Sequence, residues 1–206
     1  MAERNEIEMA KSMLRAEMLG RMATIDPAER RAASRALNER LLAMDEVRMA
    51  GTVLAYLAMR TEIDPAAAML ECLEEGIRVA VPIVDEESKE LEAVTIDSLD
   101  PRRFVRDRFG VLVPRDGERI RATELDVVLV PGVAFDRCGQ RLGRGAGFYD
   151  RLLVRLPPRC RTIGLGFHCQ LVERVPVDGR DRPVDAVVTD QAFVEVAAPG
   201  AGEPIA

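Results

Sequence analysis

The run LDVVLVPGVAF, residues 125–135, constrains the fold more than any other stretch of the chain. Its apolar residues follow one another instead of alternating, so a strand built from it has both faces out of water. Such strands belong in the middle of a parallel sheet covered on both sides by helices. Shorter runs of the same kind recur at GTVLAYLA (51–58), RVAVPIV (78–84) and RTIGLGF (161–167). KELEAVTI reads as a further strand, expected at an edge, and AVVTD and AFVEV as short closing strands.

Helix signals lie between these runs. Residues 5–21 place Ile7, Ala10, Leu14 and Met18 at helical spacing. Asp26-Pro27 and Asp64-Pro65 each supply an N-cap followed by a proline suited to the first turn, and Gly76 is a natural stop. GFYDRLLVRL reads as a last helix ending at Pro157-Pro158. Helix and strand alternating in this way predict an α/β fold: a single three-layer domain, a largely parallel central sheet flanked by helices, and two N-terminal helices. The expected domain spans residues 1–196, with 197–206 (AAPGAGEPIA) as a flexible tail.

Composition narrows the function. The net charge is −6, there is no Trp, and aromatic residues make up 4%. That balance disfavours nucleic-acid binding, which asks for a basic surface or a stacking platform. The longest apolar stretch falls far short of the roughly 20 residues of a membrane span. The N-terminus alternates charge (Glu3, Arg4, Glu6, Glu8), unlike a signal peptide. Four cysteines without a C-x-x-C pair, beside a single histidine, point to reduced thiols in a cytoplasmic protein and to no zinc site.

The chemistry concentrates in GQRLGRGAGFYDRLL, residues 139–153, after the central run and at the start of a helix. Ligands of open α/β sheets sit beyond the carboxyl ends of the strands. Gly143, Gly145 and Gly147 leave backbone N–H groups free to cradle an anion, and the helix that follows directs its positive end to the same place. Arg141 and Arg144 add fork-shaped cations, and Asp150 suits a Mg²⁺ ion carried on a phosphate. The spacing matches neither a Walker A loop nor a dinucleotide fingerprint, and on spacing alone a glycine-rich turn with solvated arginines is the competing reading.

The wording of this stretch is more specific. PGVAFDRCGQRLGRGAGFYD, Pro131 to Asp150, resembles the signature of the 5-formyltetrahydrofolate cyclo-ligase family, with Phe148 in place of a Tyr. KSMLR (Lys11 to Arg15), TEID around Glu62, and IGLGFHCQLVERVPVDGRD with Gln170 and Asp181 resemble other segments of that family. The likeness covers about residues 8–190.

The resemblance implies an enzyme that turns ATP and 5-formyltetrahydrofolate into 5,10-methenyltetrahydrofolate, ADP and phosphate. Phosphorylation of the formyl oxygen would activate its carbon toward N10. Lys11 and Arg144 would be catalytic. Lys11, Arg15, Arg141, Leu142, Gly143, Arg144, Gly145, Ala146, Gly147, Phe148 and Tyr149 would hold ATP. Leu57, Glu62, Arg144, Gly145, Gly147 and Tyr149 would meet the folate, with Glu62 on the donor-rich edge of the pterin. Asp150 and Asp181 would bind Mg²⁺.

Three further positions depart from the family pattern. Val113 stands where Glu or Gln is usual, Arg180 where His or Asn is common, and Ala146 where Gly or Lys is accepted. The partner implied by the resemblance is a small reduced folate, with no nucleic acid and no membrane expected, and the expected assembly is a monomer, a dimer being the alternative. Two rival readings are a family relative that acts on another compound or binds folate without catalysis, and a sugar-phosphate isomerase on a similar sheet. The isomerase leaves the Lys11/Arg15 helix face and the Asp150/Asp181 pair without a purpose.

Overall fold

The computed structural model describes residues 2–85, 87–107 and 110–197. Five helices and twelve strands are described: α1 (Ala2–Thr24), α2 (Pro27–Leu42), α3 (Asp45–Arg48), β1 (Thr52–Leu54), α4 (Ala66–Glu74), β2 (Arg78–Val84), β3 (Leu91–Ile96), β4 (Phe104–Arg106), β5 (Leu112–Pro114), β6 (Arg119–Ile120), β7 (Val127–Pro131), β8 (Ala134–Phe135), β9 (Arg141–Leu142), α5 (Phe148–Arg155), β10 (Arg161–Gly166), β11 (Ala186–Thr189) and β12 (Phe193–Glu195). The main sheet has the order β12-β11-β10-β7-β1-β2-β3-β6. Its five central strands are parallel, and β12, β3 and β6 add antiparallel pairs at the two sides. This is the α/β sheet flanked by helices that the sequence pattern predicts.

Alternation along the central strands assigns each residue to a layer. Val53, Val79, Val81, Val127, Leu129, Ile163 and Leu165 face a core built with Leu37 and Leu41 of α2 and Met69 and Cys72 of α4. Leu54, Ala80, Val128, Val130 and Val187 face the opposite core, with Phe135 and Leu152 of α5. Both faces are therefore buried, which is why the strands read as unbroken apolar runs. The two N-terminal helices belong to this packing: Met22, Leu37 and Leu41 are 0% exposed. Asp26 caps α2 by accepting the Ala28 N–H at 2.7 Å.

Three details differ from the sequence reading. KELEAVTI is not outermost, because the two-residue strand β6 pairs along its outer side and buries Ala93 and Val94. LDVVLVPGVAF is not one strand. Pro131 lacks the N–H to continue a ladder, and after the turn at Gly132 the chain leaves the main sheet, so that β8 pairs with β9. GTVLAYLA gives only a three-residue strand, β1, and residues 55–58 run on toward the site. The expected tail at 197–206 lies, apart from Ala197, outside the described residues.

Candidate active site

From β1 the chain crosses to β2 on one side, and later elements return to β7 on the other. Ligand crevices of open α/β sheets open at such a reversal, beyond the carboxyl ends of the strands. A cleft of about 1060 Å³ lies there, bordered by Tyr56 and Leu57 after β1, Pro82 to Val84 at the end of β2, and Pro131 and Gly132 at the end of β7. Every residue given a catalytic, nucleotide-binding, folate-binding or metal-binding role from the sequence borders this cleft.

The β8–β9 hairpin delivers the glycine stretch. Leu142 is buried against Met18, Val133 and Val175, which anchors the start of the loop. Gly145 and Gly147 have φ values of 105° and 67°, a region open to glycine and strained for other residues. A Cβ at Gly143 would lie 2.7 Å from Nη1 of Arg141, so glycine there makes room for the guanidinium beneath the loop. Arg141 is not a solvated arm. Its side chain is 3% exposed, and Nη2 donates to Oδ1 of Asp150 at 2.9 Å. Nη1 donates to the Pro131 carbonyl at 3.3 Å, and the buried Nε has no hydrogen-bond partner among the described residues. The cation also lies 5.7 Å from the Tyr149 ring centroid. Arg151 fastens the far side of the loop by donating to the carbonyls of Ala146 and Lys89, and its guanidinium stacks 5.1 Å from the Phe148 ring.

Helix α1 forms the adjoining wall. Lys11 and Arg15, one turn apart, avoid mutual repulsion because each has its own acceptor. Nε of Arg15 donates to the Gly143 carbonyl at 2.9 Å. Nζ of Lys11 donates to Oδ2 of Asp181 at 2.6 Å and to Oδ2 of Asp178 at 3.0 Å. Burial works to lower the Lys11 pKa, but the two carboxylates outweigh it and hold it above the usual lysine value. Asp178 is held far below the usual carboxylate range by the Arg180 side chain and backbone N–H and then by Lys11. Glu8, one turn before Lys11 on α1, pairs with Arg180 at 3.2 Å.

On the remaining side, Glu62 meets Arg144: Nη2 and Nε donate to Oε1 at 2.8 and 3.1 Å. Oε2 of Glu62 accepts the Met59 N–H at 3.0 Å, which orients the carboxylate. Leu57 and Tyr149 are half-buried beside it, and Val113 adds to an apolar lip with Val111 and Leu112. Burial pushes the Tyr149 phenol well above its ordinary pKa, against the opposing pull of Arg141, so it stays protonated. Tyr56, also raised chiefly by burial, donates to the Ile63 carbonyl at 2.9 Å.

The backbone N–H of Arg182, the residue after Asp181, donates to Oδ1 of Asp150 at 3.4 Å, and both aspartates border the cleft. No cluster of three or more His, Cys, Asp or Glu able to hold a metal occurs among the described residues. One or two carboxylates beside a phosphate site is the donor set of magnesium, which keeps most of its waters and arrives with the phosphate. The orphaned Nε of Arg141 and the glycine loop likewise suit anionic oxygens. The residues present therefore fit a magnesium-bound phosphate chain.

Sequence reasoning missed Asp178, Arg182 and Tyr56. For Asp178 a signal existed: in DGRD two acids sit three apart around an arginine, opposite a lysine-bearing helix. Gln170 lies behind the cleft, not on it. It is 1% exposed, and Nε2 donates to the Gly132 and Val133 carbonyls at 2.8 and 3.1 Å, fixing the turn after β7. His168 lies 3.3 Å from Thr189 Oγ1 and does not border the cleft.

Comparison with known proteins adds an independent line. Residues 7–190 match the model of the 5-formyltetrahydrofolate cyclo-ligase family. The chain is 31% identical over 172 residues to the Escherichia coli K12 5-formyltetrahydrofolate cyclo-ligase, covering 82% of this chain and 94% of that one. It is 26% identical to the mouse enzyme of the same name, covering 90% and 96%. The NMR structure of Aquifex aeolicus 5,10-methenyltetrahydrofolate synthetase superposes with a TM-score of 0.80 at 32% identity, covering 94% of this chain and 96% of that one. No helix among the described residues is long and apolar enough to cross a membrane.

Proposed function

The chain is an enzyme of the 5-formyltetrahydrofolate cyclo-ligase family, and we propose that it converts 5-formyltetrahydrofolate and ATP into 5,10-methenyltetrahydrofolate, ADP and phosphate with magnesium. The observation that carries this reading is a cleft in which a glycine-rich, cation-bordered loop adjoins an apolar wall beside the Glu62 carboxylate. Phosphoryl transfer asks a protein for positioning and charge neutralisation more than for covalent chemistry. A cleft with many cations and, among the described residues, no Cys, Ser or His at its border is suited to that task.

The residues divide the work. Lys11, Arg15 and the N–H groups of residues 143–147 face the phosphates, and Arg141 contributes its charge from beneath the loop. Arg144, at the cleft border beside Glu62, would neutralise the group in transfer. Glu62 accepts from the aminopyrimidinone edge of the pterin, and Leu57 and Tyr149 border its ring. Asp150 and Asp181 would hold magnesium, which when bound neutralises phosphate charge. Val113, with Val111 and Leu112, gives the cleft an apolar lip.

Calorimetric titration with magnesium ADP tests the nucleotide half of this assignment. Tight binding that disappears on chelating magnesium and weakens at least tenfold in Asp150→Ala is expected. Binding unaffected by either change removes Asp150 from the metal site.

A further inference from the structure

The two carboxylates on Lys11 are not equivalent. Asp178 is saturated by its own loop: the Arg180 N–H and Nε donate to Oδ1 at 2.8 and 3.2 Å, and Nη2 donates to Oδ2 at 2.9 Å. Asp181 takes both of its bonds on Oδ2, from Lys11 and from the Asp178 N–H at 2.6 Å. Nη2 of Arg180 also lies 3.2 Å from Oε1 of Glu8, one turn ahead of Lys11 on α1. Arg180 therefore ties the loop to the helix by pairing with both Asp178 and Glu8.

Charge explains why this matters. An ammonium held by two unopposed carboxylates sits in a net negative environment and repels phosphate. Arg180, which also meets Glu8, offsets part of the Asp178 charge, so Asp181 is the carboxylate that holds Lys11 more closely. Resting on the function proposed above, Asp181 is the carboxylate that would hold the metal ion, and Lys11 would then serve the phosphates while Asp178 keeps it anchored. We propose that Asp178, held by Arg180, is a positioning residue that fixes the Lys11 ammonium for the nucleotide phosphates, while Asp181 is its exchangeable partner.

The test compares Asp178→Asn, Arg180→Ala and Arg180→Lys with the wild type, using magnesium ADP in calorimetry and both substrates in steady-state kinetics. The Arg180 side chain is 64% exposed, so its removal leaves the fold intact, and thermal melting checks this for each variant. The expected result is a loss of about tenfold in magnesium ADP affinity for Asp178→Asn and Arg180→Ala, consistent with losing a charged hydrogen bond. The KM for ATP rises with it, the KM for 5-formyltetrahydrofolate stays within about twofold, and Arg180→Lys lies nearer the wild type than Arg180→Ala. Unchanged nucleotide affinity in folded Asp178→Asn and Arg180→Ala, or equal losses for both substrates, overturns the proposal. A wild-type protein that binds magnesium ADP yet forms no methenyl product refutes the reaction instead, and the calorimetric comparison still decides the role of Asp178.

Discussion

Replacing Arg144 by alanine separates a catalytic arginine from a structural one. Its side chain is 40% exposed, and the ion pair it makes with Glu62 is open to solvent on that side. Such pairs contribute about 0–1 kcal/mol, and Glu62 keeps its hydrogen bond from the Met59 N–H in the variant. For a chain of this size, 1 kcal/mol moves Tm by about 2–4 °C, so the melting temperature should fall by no more than about 4 °C. If Arg144 neutralises the group in transfer, its loss removes a donor aimed at developing charge, worth about 10²–10³ in kcat, or about 2.7–4 kcal/mol. Arg144→Lys should recover only part of this, because it keeps the charge and loses the fork. The assay follows ATP-dependent appearance of the methenyl chromophore alongside a thermal melt. Arg144→Ala retaining more than about a tenth of wild-type kcat, or melting more than about 10 °C lower, refutes the reasoning.

The remaining predictions concern the core, the thiols and the metal. A Cβ at Gly164 would stand 2.4 Å from the ring of Phe135, itself 0% exposed. Gly164→Ala should therefore destabilise by about 1–3 kcal/mol of overpacking, and an unchanged urea midpoint contradicts that seating. Cys138 and Cys169 are exposed, Cys72 and Cys160 buried. Burial pushes the Cys160 thiol up to about 12, with Asp126 and Asp185 adding to the shift, and Cys72 and Cys169 are also raised, chiefly by burial. A disulfide-exchange reagent near pH 8 should modify Cys138 fastest and Cys169 more slowly, reaching the other two only after unfolding. At pH 9 Cys160, still below its pKa, remains protonated; early labelling of Cys160 refutes its placement. Chelating magnesium should abolish turnover without lowering the melting temperature of the protein alone, and a lowered melting point would mean that the metal is structural.

Much of the sheet was legible because its central strands are buried on both faces, which leaves unbroken apolar runs in the sequence. Arg78–Val84 matches its run residue for residue. Position within the sheet was less legible. The charged turn before KELEAVTI suggests an edge, but a strand of only two residues, too short to leave a periodic signal, occupies that place. The break after Pro131 was hidden because apolar residues continue through Gly132 and into β8 even though the chain changes partners. At the site, the glycine stretch and the Lys11/Arg15 spacing carry local signals, since backbone freedom and helical periodicity are properties of neighbouring residues. The pairings are long-range. Nothing local in the sequence couples Lys11 to Asp178, 167 residues away, or Arg144 to Glu62, 82 away. Nor does it show that Arg141 lies under the loop beside Asp150 instead of reaching into solvent.

The central claim is the reaction, and the most direct measurement adds magnesium ATP and 5-formyltetrahydrofolate to the purified protein. The methenyl product carries a conjugated chromophore that the substrate lacks. The account predicts absorbance that grows only when ATP, magnesium and the folate are all present, with one ADP released for each methenyl group formed. Folded protein that binds magnesium ADP but gives a flat trace with the complete mixture would contradict it.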